Sequence, residues 1–83
     1  MKILITGAAG FIGYHLANKL LNKNIHKVFG IDNFDNYYSV KIKKKRVLLL
    51  KKNRNFFFSK IDISKKNQLS RYLRKKKFEY IFH

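Results

Sequence analysis

Three glycines near the start of the chain are the residues whose type and spacing could support chemistry. Gly7, Gly10 and Gly13 form the pattern G-x-x-G-x-x-G. Glycine at these positions permits a tight turn, lets a phosphate approach the backbone, and lets the following helix pack closely on the preceding strand. The first N–H groups of that helix would then face the phosphates. Glycines alone are a weak signal, so the pattern requires a buried strand before it and an amphipathic helix after it.

An acidic residue follows the second hydrophobic segment of the chain. Asp32 lies 25 residues after Gly7, near the spacing of roughly 20 expected for a carboxylate that accepts hydrogen bonds from an adenosine ribose. A carboxylate there repels a 2′-phosphate, so the sequence predicts NAD rather than NADP. The alternative for Asp32 is an ordinary acid that begins an Asx turn with Asn33. For the glycines, the alternative is a strand–helix turn without a ligand.

The segments around these residues have the required hydrophobic patterns. Lys2–Thr6 is typical of a strand buried on both faces, and apolar residues at helical spacing from Phe11 predict a helix that ends near Asn24. The remaining segments predict a strand at 27–31, a helix at 39–52, a strand at 55–61, a helix at 65–76 with Ser64 as N-cap, and a strand at 78–83.

The helices should bury their apolar faces against the sheet. The residues expected to face inward are Ile12, Leu16, Ala17, Leu20 and Leu21 in the first helix, Val40, Val47, Leu48 and Leu50 in the second, and Leu69, Tyr72 and Leu73 in the third.

The order β-α-β-α-β-α-β predicts an α/β fold. It corresponds to the N-terminal half of a Rossmann doubly wound parallel sheet with strand order 3-2-1-4. We therefore expect residues 1–83 to form one partial NAD(P)-binding Rossmann domain. A final apolar strand leaves an unpaired sheet edge, which natural proteins usually cover. Truncation, or a partner that supplies the rest of the sheet, is the hypothesis that follows.

Composition excludes several classes of protein. A chain that is 46% hydrophobic and 16% aromatic is too apolar for a disordered basic tail. Cysteine is absent, which excludes a disulfide framework and a cysteine metal site. The chain has no apolar run of the roughly 18 residues that a membrane span needs, and we expect a soluble, cytoplasmic protein. His15, His26 and His83 have no metal-ligand spacing, so no metal site is predicted.

Positive charge is concentrated in the second half of the chain. The net charge is +16, and residues 41–83 hold 16 basic residues and two acidic ones. Such clusters can bind a nucleic-acid phosphate backbone. We favour the alternative that lysine has accumulated at exposed positions through an AT-biased coding sequence, because lysine dominates over arginine and charge runs are usually solvated faces.

Taken together, these residues resemble a known family. Residues 2–16, KILITGAAGFIGYHL, resemble the amino terminus of the NAD-dependent epimerase/dehydratase family, the extended short-chain dehydrogenase/reductases that act on nucleotide sugars. Residues 30–38, GIDNFDNYY, followed by a basic helix, are most similar to the UDP-glucuronate 4-epimerase branch. The resemblance covers the whole chain but only the beginning of a family member.

The resemblance implies roles for residues around the glycine loop. Phe11 and Ile12 would give main-chain contacts to the pyrophosphate, and Asn33 and Asn36 would line the ribose pocket. The full set of cofactor-binding residues implied is Gly7, Gly10, Phe11, Ile12, Gly13, Asp32, Asn33, Asn36, Asp62 and Ile63. Asp62 and Ile63 would touch the adenine, although Asp62 could instead be a helix-capping acid ahead of Ser64.

No catalytic residue is expected within this chain. The family's catalytic Ser or Thr and its Tyr-x-x-x-Lys pair follow the fourth strand, as does the region that binds the nucleotide sugar. Two Tyr-x-x-x-Lys spacings do occur before the fourth strand, from Tyr37 to Lys41 and from Tyr72 to Lys76. Neither lies where the family places its catalytic pair, so we reject both as catalytic.

The function implied is the NAD-binding N-terminal portion of a nucleotide-sugar epimerase, with the sugar nucleotide bound only in a full-length relative. In the whole enzyme, NAD would oxidise the sugar at C4 and return hydride to its other face. A homodimer or a complementing C-terminal portion is left open as a partner. The alternatives are a nonfunctional truncated relic and, ranked last, a small basic nucleic-acid-binding protein.

Overall fold

Four parallel strands form the sheet of this protein, whose computed structural model describes residues 1–34 and 39–83. The strand order is β3-β2-β1-β4, which confirms the predicted order 3-2-1-4. Strands alternate with helices along the chain, as expected for an α/β fold. The elements are β1 (Lys2–Thr6), α1 (Phe11–Leu21), β2 (Lys27–Asp32), α2 (Val40–Lys51), β3 (Phe56–Lys60), α3 (Lys66–Lys76) and β4 (Tyr80–Phe82).

The central strand β1 pairs with β2 on one side and β4 on the other. Lys2 lies opposite Lys27, and Ile3 lies opposite both Val28 and Tyr80. Parallel strands with helices on both faces are buried on both faces, which explains the continuous apolar run of β1. Because the strands are parallel, the loops that follow β1 and β2 meet at the same edge of the sheet.

Two apolar clusters cover the two faces of the sheet. Since successive strand residues point to opposite faces, Ile3 and Ile5 contribute to one cluster and Leu4 to the other. The first cluster includes residues of α1 and α2, namely Ala17, Leu21 and Leu50. The second packs against α3, where Leu69, Tyr72 and Leu73 face inward as expected. Helices α1 and α2 therefore lie on one face of the sheet, and α3 lies on the other.

Most element boundaries differ from the sequence prediction by one to three residues, and three of the differences have a structural explanation. Helix α1 ends at Leu21 rather than near Asn24, because Asn24 adopts the left-handed conformation, with φ of 58°, that ends the turn. Strand β2 continues through Asp32, whose backbone pairs with Lys60 of β3. Strand β4 covers only residues 80–82 of the predicted 78–83. Phe78 does not belong to the strand, because its ring packs against Tyr72 of α3.

The prediction that Ser64 caps α3 was wrong. Lys65 occupies the N-cap position and makes no side-chain capping bond. The hydroxyl of Ser64 instead donates to Asp62 Oδ1 at 2.7 Å, and its backbone N–H donates to the same oxygen at 2.9 Å. Because Asp62 holds both groups of Ser64 in an Asx turn, the hydroxyl does not reach the first turn of α3.

The inward faces of α1 and α2 were also partly mispredicted. Leu48 is 63% exposed and Ile12 is 80% exposed. On α2 the buried side chains are Lys43, Val47 and Leu50, which are spaced by four and three residues and so share one face of the helix. Leu48 follows Val47 and points about a quarter turn away from that face, while Lys43 takes the inward position.

One edge of the sheet carries exposed apolar side chains. Tyr80, Ile81 and Phe82 of β4 are between 41% and 55% exposed. Within residues 1–34 and 39–83, β4 pairs with β1 alone, so its other edge has unpaired backbone groups. No helix in this described part of the chain combines the length and apolar character that crossing a membrane requires.

Candidate functional site

The loop between β1 and α1 is fixed to the end of β2 by backbone hydrogen bonds. The N–H groups of Gly7 and Ala8 donate to the Ile31 carbonyl at 2.9 and 3.2 Å, and Gly10 N–H donates to the Gly7 carbonyl at 3.0 Å. Gly7 has a φ of 67°, in the left-handed region that glycine adopts without steric cost. The loop is therefore a tight, anchored turn at the carboxyl edge of the sheet.

Gly10 and Gly13 allow α1 to begin directly against this turn. A Cβ atom on Gly10 would lie 3.2 Å from the Gly7 carbonyl oxygen, and one on Gly13 would lie 2.9 Å from the Gly7 carbonyl carbon and overlap its oxygen. All three glycines of the predicted pattern therefore meet at one peptide group. The Gly7 peptide crowds the positions that Cβ atoms of Gly10 and Gly13 would take, whereas no atom lies within 4 Å of a Cβ position at Gly7.

The amino end of α1 has no competing anion. Gly10 occupies the N-cap position and provides no side chain, and the first turn contains no acidic residue. The first N–H groups of a helix have no partners within the helix and carry a partial positive charge. This end of α1 can therefore donate hydrogen bonds from its N–H groups to an external anion such as a phosphate.

Asp32 is buried beside the glycine loop. It is 8% exposed. Its Oδ2 atom accepts a hydrogen bond from Ala9 N at 3.0 Å, and its Oδ1 atom accepts one from Phe34 N at 2.8 Å. The bond to Phe34 is the Asx turn considered as the alternative role for Asp32. The bond to Ala9 is an additional role, because it ties the end of β2 to the apex of the loop.

A groove of about 960 Å³ runs along the carboxyl edge of the sheet. Ligand sites of α/β proteins occur at this edge, and the volume lies in the range of small-molecule and cofactor pockets. The groove is lined by Ile5, Thr6, Gly7, Gly10, Phe11, Ile12, Gly13, Leu16, Asp32, Asn33, Ser39, Ile42, Lys43, Arg46, Phe82 and His83. Seven of the ten predicted cofactor-binding residues are therefore brought together here.

The other three predicted residues are placed differently. Asp62 and Ile63 lie on the loop after β3 and are not among the groove-lining residues. Hydrogen bonds from Ser64 hold the pKa of the Asp62 carboxyl below its usual value, and a weaker hydrogen bond from the Asn33 side chain acts in the same direction. Asn33 thus joins the rim of the groove to Asp62. Asn36 lies outside the described residues.

Two basic residues of α2 belong to the groove and were missed by the sequence analysis. Lys43 is 7% exposed. Arg46 donates from Nη1 to the Ala9 carbonyl at 3.0 Å, and its guanidinium carbon lies 5.9 Å from the centre of the Phe11 ring. The spacing of Lys43 to Val47 and Leu50 was the available signal, since it places Lys43 on the buried face. With one carboxylate and two cations, the groove has a net positive charge.

The end of β4 closes the groove on its far side. The hydroxyl of Thr6 lies 3.0 Å from Nδ1 of His83 and donates to the Phe82 carbonyl at 3.3 Å. These bonds fix the end of β4 to the end of β1. In the part of the chain that the structure describes, no three His, Asp or Glu side chains come together as metal ligands.

The chain is similar to proteins that act on nucleotide sugars. Residues 4–83 match the family described as GDP-mannose 4,6 dehydratase. Protein CapI of Staphylococcus aureus is 48% identical over 71 residues, which cover 86% of this chain and 21% of that protein. UDP-glucose 4-epimerase of Pisum sativum is 39% identical over 83 residues, which cover 99% of this chain and 23% of that protein.

A solved structure agrees with the fold over the whole chain. UDP-glucuronic acid 4-epimerase from Bacillus cereus in complex with NAD superimposes with a TM-score of 0.86 and 38% sequence identity, covering 100% of this chain and 26% of the other. The chain spans about a quarter of the length of the curated relatives it matches, which places the similarity in one part of each relative.

Proposed function

This chain belongs to the NAD-dependent epimerase/dehydratase family, and from that premise we propose that residues 1–83 are the NAD-binding amino-terminal part of a nucleotide-sugar epimerase of the UDP-glucuronate 4-epimerase type. The observation that carries the proposal is the cradle formed by the glycine loop and the uncapped amino end of α1, both of which line the groove. Because Gly10 and Gly13 have no Cβ atom, the start of α1 packs directly on the Gly7 peptide, and no atom lies within 4 Å of a Cβ position at Gly7. A dinucleotide pyrophosphate fits such a cradle.

The pyrophosphate would be held by main-chain N–H groups at the start of α1, around Phe11 and Ile12. A dianionic group is favoured there by the helix end and by the net positive charge of the groove, to which Lys43 and Arg46 contribute. When bound, NAD supplies the acceptor for a hydride. The residues of this chain bind and orient that cofactor.

Asp32 would hold the adenosine ribose. Each of its oxygens accepts one backbone N–H and keeps lone-pair capacity for a ribose hydroxyl. A buried carboxylate at this position also repels the additional phosphate of NADP, which supports NAD as the cofactor. Asn33, and with it Asn36, would line the ribose pocket. Asp62 and Ile63 would contact the adenine, with Asp62 accepting from the exocyclic amine.

The sugar chemistry would require residues beyond these elements. No Tyr-x-x-x-Lys pair follows β4 in residues 1–83, so we expect this segment alone to bind NAD without epimerising a sugar nucleotide. The exposed edge of β4 offers a place for a complementing carboxyl-terminal portion or a second copy of the chain. A cytoplasmic location stays a prediction.

Nucleic-acid binding is not favoured by the placement of the charges. The basic residues of α2 and α3 lie on opposite faces of the sheet, so they do not form one stripe along which a phosphate backbone could run. A nonfunctional relic remains an alternative, and it is distinguished by whether the chain binds NAD.

The proposal is tested by titrating NAD into the 83-residue chain at physiological salt and recording two-dimensional amide spectra. We expect the largest shifts at Gly7 to Gly13 and near Asp32, with further shifts at Asp62 and Ile63 where the adenine would lie. Asp32→Ala should weaken the binding of NAD about 10- to 100-fold, because hydrogen bonds to a charged group contribute about 1.5–3 kcal/mol. Glu79→Gln is the control, since it removes one negative charge outside the groove. Dispersed wild-type spectra whose peaks do not shift when NAD is added would refute the proposal.

A poorly dispersed spectrum that does not change when NAD is added would indicate a nonfunctional relic or a segment that folds only with a partner. Raising the salt concentration separates the remaining alternative, because binding to a nucleic-acid backbone falls steeply with salt. Tight RNA binding without any response to NAD would reverse the order of these functions.

A further inference from the structure

The apex of the glycine loop is held from two sides. Ala9 is fully buried. Its N–H donates to Asp32 Oδ2 at the end of β2, and its carbonyl accepts from Arg46 Nη1 on α2, both at 3.0 Å. One peptide segment therefore connects the sheet, the loop and the second helix. Asp32 is already a predicted site residue, through its role at the ribose. Arg46 was not among the predicted site residues.

Arg46 also contacts the residue on the other side of Gly10. Its guanidinium carbon lies 5.9 Å from the centre of the Phe11 ring, and the ring centre of His15 lies 4.6 Å from that of Phe11 in an edge-on arrangement. Phe11 is otherwise 65% exposed. The N-cap Gly10 has no side chain to cap the first turn of α1, and the two contacts of Arg46 lie on either side of it, at Ala9 and Phe11.

Helix α2 gives Arg46 a fixed origin. Val47 and Leu50 are 4% and 2% exposed and anchor the helix on the sheet. The hydroxyl of Ser39 accepts a hydrogen bond from Ile42 N at 3.4 Å at the start of the helix. The guanidinium therefore extends across the groove from a docked helix to the loop.

We infer that Arg46 is a positioning residue of the phosphate loop: it holds the segment from Ala9 to Phe11 so that the N–H groups beginning α1 point into the groove. This inference rests on the proposed dinucleotide site and adds a residue to it. Arginine suits the role because its planar group donates to a carbonyl and covers a ring face at the same time. Lysine keeps the charge but has a compact ammonium that cannot make both contacts with one geometry.

The test compares ligands with and without phosphates. Dissociation constants for NAD, ADP and adenosine are measured for the wild-type chain, Arg46→Gln, Arg46→Lys and the control Arg54→Gln, which removes an exposed cation outside the groove. We expect Arg46→Gln to weaken the binding of NAD and ADP about tenfold, because the ligand must then order the released loop, and to leave adenosine binding within about twofold. Arg54→Gln should bind all three ligands like the wild type.

The lysine variant separates positioning from simple charge. We expect Arg46→Lys to remain weakened for NAD and ADP, and the amide signals of Gly10 and Gly13 to move in both Arg46 variants without ligand. Wild-type affinity in Arg46→Lys would overturn the inference, because charge alone would then suffice. If Arg46→Gln does not fold, Arg46→Lys carries the comparison.

Two further outcomes are distinguishable. An equal loss of affinity for adenosine and ADP would mean general destabilisation and would overturn the positioning role. NAD binding that is unchanged in both variants would overturn this inference alone, whereas a folded wild-type chain that binds neither NAD nor ADP would overturn the proposed function with it.

Discussion

At Gly13 the backbone of α1 passes directly over the peptide that leaves β1. The contact is between main-chain atoms, since a Cβ atom there would lie 3.0 Å from the Ala8 Cα and closer still to the Gly7 peptide. Backbone atoms cannot rotate away as a side chain can. The glycine requirement at this residue therefore arises from packing in the protein itself, before any ligand is considered.

Gly13→Ala should accordingly destabilise the protein. We expect the free energy of unfolding to fall by about 1–3 kcal/mol, the usual cost of forcing an extra carbon into a packed site. Urea unfolding followed by circular dichroism measures it. Gly10→Ala is the matched control, because its Cβ would lie 3.2 Å from the Gly7 oxygen and needs a smaller adjustment. A Gly13→Ala chain as stable as the Gly10→Ala chain would contradict this account.

Residue type predicted the glycine cradle and Asp32, but not the cations of the groove. Glycine is rare in this sequence, so its spacing is informative, and the acid stands where β2 must end. Lys43 and Arg46 instead lie within the segment 41–46, in which five of the six residues are lysine or arginine. Helical spacing to Val47 and Leu50 is the signal that could have identified Lys43, whereas the bond from Arg46 to the loop depends on how α2 packs.

Among the elements, α3 has the least favourable beginning. Lys65 at its N-cap offers no acceptor, and no acid lies in the first turn. The basic residues Arg74, Lys75 and Lys76 in the last turn do interact favourably with the negative end of the helix. Sequence reasoning assigned the cap to Ser64 because serine is a preferred N-cap, but it could not anticipate that Asp62 binds both groups of that serine.

Lys65→Ser should therefore stabilise α3. A serine at the N-cap can accept a hydrogen bond from an N–H of the first turn, so we expect the free energy of unfolding to rise by about 0.5–1 kcal/mol. The same substitution one residue later, Lys66→Ser, controls for the loss of charge near the helix start. Thermal or urea unfolding of the three chains gives the comparison. If both serine variants gain equally, charge and not capping is responsible.

For the whole molecule, alternation of strand and helix was sufficient to predict the sheet. The apolar runs of β1 and β2, joined through α1, fix a parallel pair, and the later units add one strand on each side. The exposed edge of β4 was expected from the same pattern. Sequence patterns could not show how the charge is distributed, because that depends on which face of the sheet each helix covers.

Repulsion among the basic residues acts across the full molecule at low salt. The chain carries a net charge of +16 within extents of 32 × 29 × 17 Å. The screening length falls from about 30 Å at 0.01 M salt to about 10 Å at 0.1 M. At the lower concentration, charges on opposite faces therefore repel one another, which favours the expanded unfolded chain.

The melting temperature should consequently rise between about 0.01 M and about 0.1 M sodium chloride, because the screening length shortens over this range. Each kcal/mol recovered corresponds to about 4–8 °C for a domain of this size. The double variant Lys45→Glu and Lys75→Glu lowers the charge on both faces and should show a smaller salt dependence. A melting temperature that is independent of salt in both chains would contradict the role of repulsion.

The position of β1 between β2 and β4 also bears on the order in which the sheet assembles. Ile3 meets Val28 after 25 intervening steps along the chain but meets Tyr80 only after 77. Closing the longer loop costs about 1 kcal/mol more in chain entropy. During synthesis, one flank of β1 therefore stays unpaired until β4 has left the ribosome, and the β1–β2 unit with its glycine loop can form before that.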